Sequence, residues 1–111
     1  MSSALVIDVN QENFSTVVSD ASGVVLADFW APWCPPCRAM GPVMDELAKE
    51  LENKLTVVKI NVDENSELAS KFNVRGIPKF IFFKDGKEIS SLSGMQEKSK
   101  MIDAYNEILK A

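Results

Sequence analysis

The residues of this chain best suited to chemistry lie close together in residues 27–42, ADFWAPWCPPCRAMGP. Both of its cysteines, Cys34 and Cys37, are here, separated by Pro35 and Pro36, and Asp28 stands upstream in the apolar run VVLADFWA. A Cys-x-x-Cys pair has three chemical readings. As a structural staple it is weak, because the entropy that a disulfide removes from the unfolded chain grows with the length of the closed loop. As half of a metal site shared between two chains it lacks partners: two cysteines and no histidine cannot complete a thiolate-rich zinc site in one chain. As a reversible dithiol/disulfide it needs one thiol held as thiolate and a second within reach. The position of the loop favours this third reading.

That position follows from the flanking elements. Val24–Trp30 is almost continuously apolar, the pattern of a central strand covered on both faces. From residue 37 to residue 53 the pattern is helical, with Met40, Val43, Leu47 and Leu51 on one stripe. Gly41-Pro42 lies inside this helix, where a kink is expected. A loop from the carboxyl end of a central strand to a helix start sits where open α/β sheets bind ligands. The helix start offers unpaired N–H groups and a partial positive charge. Cys34, just before the helix, is therefore placed to be a low-pKa nucleophile, and Cys37, one turn on, to resolve a mixed disulfide. Pro36 suits the first helical position, and Pro35 enforces an extended backbone around itself. Together they shape a loop that can cycle with little change of form.

Asp28 is out of place by composition, since aspartate is depleted in strands and a lone buried carboxylate is costly. Its neighbours are too apolar for an edge position facing water. Desolvation should raise its pKa toward neutrality, which suits a base that takes the Cys37 proton during resolution. Lys59 similarly interrupts TVVKINV. It reads equally as a snorkelling surface lysine or as a neighbour of Asp28.

Elsewhere, residues 5–9 read as a short strand and residues 13–21 as a helix with Phe14, Val17, Val18 and Ala21 on one face. Residues 55–62 form a third strand and residues 66–72 a short helix capped by Asn65 or Ser66. Lys79–Lys84 is a fourth strand, Asp85-Gly86 a hairpin turn, and residues 87–92 a fifth strand. A last helix over residues 96–110 buries Met101, Ile102, Tyr105, Ile108 and Leu109. The order β-α-β-α-β-α-β-β-α implies one domain, residues 1–111, with an α/β three-layer sandwich and a central mixed sheet of five strands. A chain of 111 residues fits one core. Sixteen acids against 12 bases, a net charge of −4, argue against nucleic acid as a partner. The longest apolar runs are too short to span a membrane, and the start lacks the pattern of a signal peptide, so the cytoplasm is the expected location. The absence of histidine excludes Cys/His pairs and Ser/His/Asp triads. No glycine-rich phosphate loop is present, so no cofactor is expected.

DFWAPWCPPC, GPVMDELAKE, VVKINVDEN and VRGIPKFIFFKDGKEI, in this order and spacing, resemble the thioredoxin family along nearly the whole chain. The resemblance implies strand order 1-3-2-4-5 with helices on both faces. It implies that Cys34 attacks and Cys37 resolves, and that Asp28 and Lys59 are the buried acid and its lysine neighbour. Trp33 is the tryptophan beside the active loop and Trp30 a partly buried packing residue. Ile77-Pro78 is a cis-proline loop facing the disulfide, whose backbone pairs with an extended substrate chain, and Gly94 leaves room for that chain. Implied partners are protein disulfides and a thioredoxin reductase that recharges a monomeric protein. Three departures stand out: Pro35 for the usual glycine, Lys79 for a threonine after the cis-proline, and Ser66 for a proline. Lys79 either adds positive charge near the site or points to solvent. A thiol oxidant or isomerase is the nearest redox alternative, but those branches often carry histidine between the cysteines. A partner clamp would use the same exposed rim of Trp33, Ile77, Pro78 and Met95, and would survive serine at both cysteines.

Overall fold

The computed structural model describes residues 5–110. The strands are β1 Val6–Asp8, β2 Val24–Trp30, β3 Leu55–Asn61, β4 Lys79–Lys84 and β5 Lys87–Ser93. The α-helices are α1 Pro35–Glu50, α2 Ser66–Lys71 and α3 Lys98–Lys110, and a short π-helical segment, Ser15–Ser19, precedes β2. The sheet order is β1-β3-β2-β4-β5. β3 lies parallel to both β1 and β2, while β4 is antiparallel to β2 and β5. This is the mixed sheet and the order expected.

Alternation along the two central strands builds both sides of the core, because successive side chains leave a strand on opposite faces. Val24 and Leu26 of β2, with Phe80 and Phe82 of β4, pack in a cluster with Met40, Met44 and Leu47 of α1 and Met101 and Tyr105 of α3. Val25, Ala27 and Phe29, with Ile81 and Phe83, pack on the other face with Phe14, Val18 and Leu68. Each buried phenylalanine side chain contributes roughly 1.5–3 kcal/mol relative to exposure. The hairpin turn has Asp85 at φ 51° and Gly86 at φ 83°, the positive pair that a two-residue turn of this hand requires. A Cβ at Gly86 would also run into the Ser19 carbonyl.

Several expectations change in detail. Residues 13–21 do not make a regular α-helix. Thr16, Val17 and Val18 are consecutive β-branched residues with poor helix propensity, and the Asn10 side chain takes the N–H groups of Glu12 and Asn13 just upstream. Phe14 and Val18 are nevertheless buried. α1 stops at Glu50, short of residue 53, where Asn53 takes a left-handed φ of 68°. Pro42 lies within α1, which runs on past it. Asn65 is the N-cap residue of α2 but makes no side-chain cap bond. Its Oδ1 instead accepts from the Gln11 N–H at 3.1 Å and its Nδ2 donates to the Asn61 carbonyl at 3.0 Å. In α3, Met101, Tyr105 and Ile108 form the buried stripe at i, i+4 and i+7, and Leu109 falls beside it, exposed rather than buried.

Candidate active site

The site begins where β2 ends. Cys34 is the N-cap residue of α1, with extended φ −98° and ψ 106°, because a residue before proline is pushed out of the helical region. The helix opens one residue earlier than expected, with Pro35 as well as Pro36 in its first two positions. Neither proline has an N–H to leave unpaired. The first donor that the helix can offer is therefore the Cys37 N–H, and it points to Cys34 Sγ at 3.2 Å. The two cysteines form a disulfide across a Cα separation of 5.2 Å, and both are buried.

The second wall of the site is the segment before β4. Ile77–Pro78 is a cis peptide, and the Ile77 carbonyl lies 4.0 Å from Cys34 Sγ. Gly94, at φ +79°, donates its N–H to the Pro78 carbonyl at 2.9 Å, which ties this segment to the end of β5. The expected exposed rim is narrower than the sequence implied. Trp33 and Met95 are 63% and 59% exposed, Ile77 is half-buried, and Pro78 is buried.

Two residues of the site escaped the sequence reading. Asp63 accepts a hydrogen bond from Trp33 Nε1 at 2.7 Å, and Arg38 donates to the Pro32 carbonyl at 3.0 Å. The signal for Asp63 is topological: Trp30 pairs in parallel with Asn61, so the residues just past each strand end lie side by side.

Asp28 shares the strand parity of Val24 and Leu26, which places it on the α1 face. Its ladder partners are Lys59 in β3 and Phe80 in β4. The side chain is fully buried, and among the described residues neither carboxylate oxygen has a hydrogen-bond partner. Burial pushes its pKa from 3.8 up to about 7, and the Lys59 charge acts in the opposite direction. Lys59 combines both expectations: it is half-buried beside Asp28, and its ammonium lies 4.1 Å over the Trp30 ring, a cation–π contact. Lys59, Trp30, Arg38 and Cys37 line one cavity of about 330 Å³. Thus the structure gathers Cys34, Cys37, Ile77 and Pro78 at one edge, with Lys59 between the acid and the Cys37 cavity, and Trp33 on the outer rim.

A family model, Thioredoxin, matches residues 5–107. The chain is 42% identical over 102 residues to the chloroplastic M-type thioredoxin of Spinacia oleracea, covering 92% of this chain and 56% of that protein. It is 43% identical over 101 residues to the chloroplastic M-type thioredoxin of Chlamydomonas reinhardtii, covering 91% of this chain and 72% of that protein. It is 42% identical over 104 residues to the thioredoxin of Bacillus subtilis, covering 94% of this chain and 98% of that protein. A dithiol couple at a helix start, on this sheet order and with this likeness to known proteins, has one reading: the chain belongs to the thioredoxin family, as a thiol–disulfide oxidoreductase that reduces protein disulfides through Cys34 and Cys37 and is recharged by a separate reductase.

Proposed function

We propose that Cys34 is the attacking thiol and Cys37 the resolving one. The observation that carries this assignment is the Cys37 N–H directed at Cys34 Sγ at the helix cap, a donor that favours a thiolate there. In the reduced protein the Cys34 thiolate attacks one sulfur of a substrate disulfide. A Cys34–substrate disulfide forms, the substrate bond breaks, and one substrate thiolate leaves. Cys37 then attacks Cys34 Sγ as a thiolate. The Cys34–Cys37 bond forms and the second substrate thiolate leaves, so the protein gives up two electrons and the substrate gains them. Asp28 accepts the Cys37 proton in this second step, and its raised pKa matches a base working near neutral pH. Lys59 steadies the Asp28 carboxylate that results when the proton is released again. Pro35 and Pro36 hold the loop.

The substrate chain lies along Ile77, with Trp33, Pro78 and Gly94 around it. The Ile77 N–H has no acceptor among the described residues, which leaves it open to an added strand. The protein works as a monomeric single domain over residues 1–111, in a reducing compartment that we take to be the cytoplasm. The names of the spinach and Chlamydomonas relatives place those proteins in the chloroplast.

The test is a trap. With a disulfide-containing protein, Cys37→Ser should accumulate a mixed disulfide through Cys34, seen by mass spectrometry as one covalent adduct. Cys34→Ser should form none. An adduct in the second variant and not in the first would reverse the roles.

A further inference from the structure

We infer that the groove beside Ile77–Pro78 binds an acidic peptide segment adjoining the substrate disulfide, through Arg75 and Lys79. This deepens the reading above and rests on it. The groove has a volume of about 370 Å³ and is lined by Arg75, Gly76, Ile77, Pro78, Lys79 and Gly94 among others. It therefore continues the surface against which the substrate chain is proposed to lie.

Both cations are held by neutral partners. Lys79 opens β4 opposite Ser93 of β5, is half-buried, and places its Nζ 3.3 Å from Ser93 Oγ. Arg75 is oriented by its Nε donating to Asn73 Oδ1 at 3.0 Å. No aspartate or glutamate lines the groove, and among the described residues neither cation makes an ion pair. Two like charges thus share one concave surface with their charge uncompensated, on a chain whose net charge is −4. A carboxylate entering there relieves their repulsion, whereas the rest of the acidic surface repels it. A cleft lined by one sign of charge focuses the field and selects a partner of the opposite sign. The far flank of the site has the opposite character, since Asp63 stands there beside Trp33. An acid is therefore favoured on one side of the substrate disulfide and disfavoured on the other.

Three synthetic peptides test this. Each carries one intramolecular disulfide; one has Gln-Gln on both flanks, and the others replace either the leading or the trailing pair with Glu-Glu. The measurement is kcat/KM for reduction by the whole protein, with a chemical dithiol as electron source, at low and high salt. One acidic peptide should be reduced about fivefold better than the neutral one at low salt, the scale of one or two exposed charge pairs. The other acidic peptide should gain nothing. The advantage should fade as salt shortens the screening length to about 3 Å at 1 M. It should vanish in the Lys79→Thr/Arg75→Gln double variant and invert in Lys79→Glu, while Lys84→Thr, at the far end of β4, keeps it. Equal rates for all three peptides in the wild type, or an acidic preference that survives in the double variant, would overturn the inference. No turnover of any peptide would remove the reductase reading and this inference with it.

Discussion

On the α2 face of the sheet, Phe14, Phe29, Phe72 and Phe83 pack with ring centroids 5.2–6.3 Å apart, tilted or edge to face. On the α1 face, the same strand that contributes Phe29 contributes Asp28, with both carboxylate oxygens buried and no hydrogen-bond partner among the described residues. One side of β2 is filled by groups whose interactions are complete. The other side holds a polar group whose interactions are not. Such a carboxylate has a stability cost of several kcal/mol if charged, and it sits on the face that carries Cys37. The contrast separates residues that hold the fold from the residue to which the proposed mechanism gives the proton transfer.

The largest expected effect falls on the redox loop. Cys34→Ser should abolish catalysed reduction of an accessible protein disulfide in a turnover assay, with folding intact, since the attacking thiol is gone and Cys37 alone cannot complete the exchange. Residual turnover well above the uncatalysed rate would transfer the attacking role to Cys37. On the aromatic face, Phe83→Ala should lower stability by about 3–5 kcal/mol, because a fully buried ring leaves a cavity among rings that cannot close over it. Urea denaturation measures this. A loss below about 1 kcal/mol would mean that the two faces are not packed as differently as the ring geometry implies.

Asp28→Asn should act in the opposite direction. The native carboxyl keeps its proton up to about pH 7, whereas the ordinary value is 3.8. Between these limits the native state binds more protons than the unfolded state, so wild-type stability falls as pH rises from about 4 to about 7. At about 1.4 kcal/mol per unit, the full fall is on the order of 4 kcal/mol. Asp28→Asn should remove this slope and be the more stable protein at pH 8 by a similar amount. If stability of the variant at pH 8 drops instead, Asp28 is a structural partner of Lys59.

The smallest effects belong to the prolines. A cap side chain accepts mainly from the N–H groups at the second and third helical positions. Pro35 holds the first position and Pro36 the second. Pro35→Gly should therefore raise the reduction potential by no more than ~30 mV, the equivalent of about 1.4 kcal/mol in thiolate stabilisation. Pro36→Ala, which restores the nearer donor, should raise it further. Equilibration with a glutathione buffer reads both, and a lower potential in either variant would refute the missing-donor argument.

The dithiol loop, the buried acid and the strand order were open to a sequence reading for particular reasons. Cys34 and Cys37 carry their spacing on their face, Asp28 contradicts the apolar run around it, and Asp85-Gly86 specifies its own turn. The strand order came with the family resemblance, not with periodicity. What was missed depends on distant parts of the chain meeting. Asp63 reaches Trp33 only because β2 and β3 run parallel and in register. The tie that holds Pro78 to the end of β5 comes from the N–H of Gly94, 16 residues later in sequence. The π-helical segment at Ser15–Ser19 arises where an apolar pattern of helical period meets β-branched residues that resist a helix.

The difference between the two faces is tested most directly by stopped-flow kinetics of the two exchange steps, followed separately from pH 5 to pH 9 in wild type and in Asp28→Asn. In wild type, resolution by Cys37 should accelerate as pH rises through about 7, where Asp28 becomes free to accept a proton. In Asp28→Asn this rise near pH 7 should disappear, and resolution should slow by roughly 10²-fold or more, the usual scale for a lost general base. Attack by Cys34 should change far less. Attack slowed while resolution keeps its rate and its pH profile would contradict the role given to the buried acid.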